Sequence, residues 1–167
     1  MIKIGLGKAL GFSLLAFIGL NFLFVIIAQT FSVLGLEPLF TAISNDPLSI
    51  ITILFAPISV MPGNVIMSLY AQISFGTIDA SMLIQTIGLI VSPFVAALVA
   101  GRTGGSKGGS FGGWMITALI GSAAWIVYIL VSLAPNPIVY VVYMLNGVVY
   151  GIFYGCFALL FTKTEMY

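Results

Sequence analysis

Apolar residues fill this chain in long blocks separated by short polar or glycine-rich gaps. Four blocks, at about residues 9–28, 82–100, 114–133 and 138–161, are continuous. A helix rises about 1.5 Å per residue, so some twenty apolar residues cross a hydrocarbon core about 30 Å thick. The pattern predicts an all-α integral membrane protein with four full transmembrane helices in a single polytopic domain, residues 1–167. A fifth block, residues 48–75, is apolar but broken by Pro57 and by Met61-Pro62-Gly63-Asn64.

The broken block sets the arrangement of everything after it. Its halves, 48–60 and 65–75, would rise only about 20 Å and 16 Å as helices, so neither crosses alone. Each proline removes a backbone donor, and an irregular backbone at membrane depth needs protein or a wet cavity around it. The block either re-enters and returns to its starting side, crosses twice as a thin pair, or crosses once as a kinked helix. Basic residues in short loops favour the cytoplasmic side. A returning block puts all of Lys3, Lys8, Arg102, Lys107 and Lys163 inside, with Glu37, Asp46 and Asp79 outside. A single crossing sends Arg102, Lys107 and Lys163 outside. The charges therefore favour a re-entrant or thin double-crossing segment with both termini cytoplasmic, most simply in the plasma membrane.

Composition reinforces the pattern. The 167 residues are 61% hydrophobic and 5% charged, with mean hydropathy +1.25. Soluble domains carry about 25% charged residues. The net charge of +1 points to no nucleic-acid partner. Cys156 is the single cysteine, so no intrachain disulfide forms.

The first apolar block is longer than the roughly 7–15 residues of a signal-peptide core, and Ala28-Gln29-Thr30 is a poor cleavage site, so it reads as a retained span. Asn21 within it is expected to hydrogen-bond a neighbouring helix. Residues 30–47 form an apolar outer connection, in which Asn45-Asp46-Pro47 resembles a helix start. Pro62 and Gly63 are followed by Asn64, Ser68 and Gln72 at four-residue spacing, which puts the three side chains on one helical face. That face either borders a solute path or satisfies groups freed by the prolines.

Ser92, Ala96 and Ala100 form a small-residue ridge, which permits close helix approach. Residues 101–113, GRTGGSKGGSFGG, read as a flexible cytoplasmic loop. They depart from the phosphate-binding G-x-x-x-x-G-K-[ST] pattern at Ser106 and Gly108. Trp114 is expected in the interfacial aromatic belt. The indole of Trp125, deeper in the same block, needs an acceptor. Ala134-Pro135-Asn136-Pro137 is expected to be a tight outer turn.

The last block carries Gly147, Gly151 and Gly155 in register, the pattern of a glycine zipper, with Tyr143, Tyr150 and Tyr154 on the adjoining stripe. Lipid is as apolar as leucine, so close backbone approach and interhelical hydrogen bonds must drive helices together. This face meets either the preceding span or another subunit.

The chemistry is sparse. Histidine is absent, and no carboxylate falls within a full span, so a buried proton relay has no candidate. No nucleophile has an identifiable base nearby in the pattern. The chain is expected to be neither an enzyme nor the holder of a cofactor or metal. Two functions fit: a non-catalytic membrane subunit surrounded by lipid and by other subunits or copies of itself, or a small oligomeric channel or permease for a neutral solute or ion using 48–75. A reporter fused to the tail or inserted in residues 101–113 is expected to report the cytosol; a signal from the opposite compartment would overturn the arrangement.

Overall fold

The computed structural model describes residues 2–76, 79–132 and 137–163, with the side chains of residues 2–4 left aside. The described residues form helices α1 (Ile2–Thr30), α2 (Glu37–Asn45), α3 (Ser49–Leu54), α4 (Pro62–Ser74), α5 (Ala80–Thr103), α6 (Lys107–Ser132) and α7 (Pro137–Leu160). A 3₁₀ turn, Ala56–Ser59, lies between α3 and α4. No strand occurs among the described residues. Four helices, α1, α5, α6 and α7, are long and apolar enough to cross a membrane. The expected outer turn at residues 134–136 lies outside the described residues.

The long helices pack where their sequences are smallest. Gly5 faces Gly104 and Gly88 faces Phe24, so α1 and α5 run antiparallel. Ala9 faces Gly113, and the Ser13 and Thr117 hydroxyls share a hydrogen bond of 2.7 Å, so α1 and α6 run parallel. Gly147, Gly151 and Gly155 abut Ser122, Met115 and Phe111, joining α6 and α7 antiparallel. Ser122 Oγ also donates to the Tyr143 carbonyl. The glycine face of α7 therefore meets α6 within the chain. Ser92, Ala96 and Ala100 are fully buried in the same bundle.

The aromatic positions fill the centre. Phe17, Trp114 and Tyr150 have no exposed surface. Trp114 meets Phe17 edge-on at 6.0 Å and Tyr154 at 6.1 Å, and its indole donates to the Tyr150 carbonyl at 3.3 Å. The Tyr143 ring stacks on Trp125 at 5.2 Å. The buried Tyr150 hydroxyl has no hydrogen-bond partner among the described residues. Valines and leucines on the opposite side of α7, such as Val141 and Leu145, are exposed.

Residues 101–113 differ most from expectation. Instead of a flexible loop, α5 continues to Thr103 and α6 begins at Lys107. Gly105 turns the chain at φ +64°, a conformation that favours glycine. Ser106 Oγ accepts from the Gly109 amide at 3.1 Å, and Ser110 Oγ donates to the Gly101 carbonyl at 3.1 Å. Gly101, Gly104, Gly109, Gly112 and Gly113 serve close contact, whereas Gly108 faces open space. A Cβ on Gly113 would lie 2.5 Å from Ala9 Cβ and 2.9 Å from the Leu10 nitrogen. Trp114 lies two turns into α6 and is fully buried against Phe17 and Tyr154.

The broken block resolves into α3, the 3₁₀ turn, an extended link at Val60 and Met61, and α4. The 3₁₀ turn packs against α5, α6 and α7, whereas the main neighbour of α4 is α5. Asn45-Asp46-Pro47 ends α2 rather than beginning a helix directly; Asp46 Oδ1 then accepts from the Leu48 amide at 3.0 Å, one residue before α3. Phe31, Val33, Leu34 and Phe40, around the start of α2, are exposed.

The α6–α7 contact generates a direct test. Leucine at Gly151 must displace Met115, whereas leucine at Val149 enters a position 39% exposed. Gly151→Leu is expected to cost about 1–3 kcal/mol, the usual range for overpacking, and Val149→Leu to be near neutral. Thermal melts and detergent sizing measure this; equal behaviour of the two variants would refute it.

Candidate functional site

Proline breaks a helix by removing an amide, and each loss here names the carbonyl left without its donor. In an α-helix residue i donates to residue i−4. Pro57 therefore leaves the Ile53 carbonyl unserved. Pro62 bars one continuous helix, and with Val60 and Met61 extended the Ile58 carbonyl has no helical donor. In lipid no water replaces the missing donor, and an unsatisfied group costs several kcal/mol. Two side chains from distant helices fill these gaps. Asn21 Nδ2 of α1 donates to the Ile53 carbonyl. Asn146 Nδ2 of α7 donates to the Ile58 carbonyl at 3.3 Å. Between them, Trp125 Nε1 of α6 donates to the Phe55 carbonyl at 2.8 Å, and that carbonyl also accepts from the Ile58 amide.

These bonds make α3 and the 3₁₀ turn a packed wedge. Ile58 is fully buried, and Gly121 provides the space beside it and Phe55. With Phe17, Trp114 and Tyr150 also buried, large side chains fill the centre of the bundle. The expectation that Asn21 and Trp125 bond neighbouring protein agrees with these contacts.

Beyond the wedge, Pro62 opens α4 at a position where a missing amide is tolerated. Asn64, Ser68 and Gln72 then share a face turned toward α5. Gln72 is buried, and its Nε2 donates to Thr86 Oγ1 at 3.1 Å and to Ser68 Oγ at 3.4 Å. Thr86 in turn donates to the Met82 carbonyl at 2.8 Å. A cleft of about 360 Å³ separates α4 from α5, with Asn64, Ser68, Gln85 and Thr86 on its polar side and Val65 and Leu89 among its apolar walls. No charged side chain lines it.

Asn64 and Gln85 are exposed on the flank of the bundle, and neither side-chain amide has a hydrogen-bond partner among the described residues. Of the residues read as a solute path, Asn64 and Ser68 line the cleft. Gln72 stands behind them in the hydrogen-bond chain, Pro62 is buried at the helix start, and Gly63 faces open space. Ser92 and the glycine–tyrosine face of α7 belong to the bundle core instead. Sequence reasoning missed Gln85, Thr86 and Asn146. Gln85 is the sole glutamine of its span, a signal available beforehand; the pairing of Asn146 with Pro62 required the fold. Among the described residues no three metal-ligating side chains come together.

Removing a donor from the wedge should leave a buried carbonyl unserved. Asn146→Leu is expected to destabilise the protein by about 1–3 kcal/mol, whereas Asn64→Leu is expected to change stability little, because Asn64 serves no internal acceptor. Thermal unfolding in mild detergent separates the two; equal losses would contradict the assignment. Comparison of the chain with protein-family models, with curated proteins and with solved structures finds no match.

Proposed function

We propose that this chain is a non-catalytic integral membrane subunit that packs within a larger membrane protein complex. The observation that carries the reading is the position of its unserved polar groups. Asn64 and Gln85 line a cleft that opens on the outer flank, and Ile66, Met67 and Tyr70 on the other sides of α4 are exposed. An open polar cleft facing hydrocarbon is costly, so a neighbouring protein surface is the favourable cover. Helix α4, with one principal neighbour, is the element on which another chain gains most contact. The partner is another membrane subunit or a second copy, and nucleic acid has no role.

The proposal includes the arrangement across the bilayer. Residues 48–75 re-enter or cross twice as a thin pair, and both termini are cytoplasmic, in the plasma membrane. Support comes from the antiparallel pairing of α1 with α5, since Thr30 and Ala80 then belong to the same end of the bundle. At the other end, Gly5 faces Gly104 and Gly101 faces Ala158 and Phe161, which gathers Lys8, Arg102, Lys107 and Lys163 near one surface. The excess of basic residues at that surface agrees with a cytoplasmic location.

Photo-cross-linkers at Tyr70 and Val141, introduced into the full chain in native membranes, test the subunit reading. Tyr70 is expected to yield discrete protein adducts, and Val141, on the apolar side of α7, to label lipid. Lipid labelling alone at both positions, with a monomer on sizing in mild detergent, would overturn it.

A further inference from the structure

We propose that the cleft between α4 and α5 binds a small uncharged solute bearing carboxamide or hydroxyl groups. The inference rests on the reading that protein closes the open flank of this cleft, and it adds what lies inside.

Two features converge there. The first is the unserved polar inventory: the Asn64 and Gln85 amides each offer a donor and an acceptor, and Ser68 offers a hydroxyl. The second is size. A volume of about 360 Å³ equals roughly a dozen waters at about 30 Å³ each, enough for a small polar organic molecule.

The same lining selects the chemistry. A cation or anion entering the cleft would lose hydration without meeting an opposite charge. A molecule with both donors and acceptors satisfies the two amides together. Val65 and Leu89 accommodate an apolar portion of the solute. Helix α5 begins at Ala80, so Gln85 and Leu89 lie about 8 Å and 14 Å along it. The site is therefore set below the helix end.

Thiol protection tests this in the full chain with its co-purifying proteins in nanodiscs. Exposed Cys156 is first replaced by serine. Asn64→Cys and Gln85→Cys are then modified by a small methanethiosulfonate reagent, with Ser74→Cys as a control at the far end of α4. Acetamide or glycerol is expected to slow modification at positions 64 and 85 by about threefold, the protection given by free solute at about twice its Kd. Acetate and guanidinium at equal osmolarity, and the control position, should show no such effect. Modification unaffected by acetamide and glycerol would overturn the proposal, as would complete unreactivity at both positions. The second outcome would leave the covered-flank reading intact, whereas failure of that reading is a monomer without protein adducts. Should the cysteine variants fail to fold, acetamide is expected to raise the melting temperature of the unsubstituted chain and not of Gln85→Leu; equal shifts would overturn the proposal.

Discussion

Hydrocarbon offers no hydrogen bonds, so every carbonyl that a proline deprives of its donor must find another within the protein. That constraint organises this molecule. Pro57 and Pro62 interrupt an apolar stretch that would otherwise be one helix, and side chains of Asn21 and Asn146 restore the lost bonds across helix boundaries. Trp125 adds a third attachment. The interrupted segment is thereby tied to α1, α6 and α7.

The small residues make those attachments geometrically possible. Gly121 leaves room for Ile58 and Phe55 beside α6, and Gly113 lets α1 lie against α6 at Ala9. In a bilayer such close approach replaces the hydrophobic drive available in water, because contact between backbones gains dispersion energy that lipid chains match poorly. The bundle centre is then closed by aromatic rings. The exposed amides of Asn64 and Gln85 lie on the α4 flank.

Much of this was legible in the sequence. Four apolar blocks correspond to α1, α5, α6 and α7, because the length needed to cross a bilayer is a demanding and readable constraint. The polar face of α4 was also readable from the spacing of Asn64, Ser68 and Gln72. The glycine-rich stretch was misread because glycine permits both flexibility and close packing. The separating clue was spacing: Gly101, Gly105, Gly109 and Gly113 recur every four residues, and only Gly105 has the left-handed backbone of a turn. The burial of Trp114 was not readable locally, because it depends on Phe17 of α1 and Tyr154 of α7. The role of Asn146 was hidden for a different reason. Nothing local ties it to a proline 84 positions earlier; only the packing of α7 on the wedge brings them together.

The three attachments of the wedge have a consequence for biogenesis. They join residues 32, 70 and 88 positions apart, and in two cases the donor emerges from the ribosome long after its acceptor. Synthesis therefore delivers the interrupted stretch well before α6 and α7 exist to hold it. Until then the Ile58 carbonyl must stay hydrated or be sheltered by the insertion machinery, because Asn146 is its donor. Docking of the wedge is thus a late event, which closes the bundle only once the final helix has arrived.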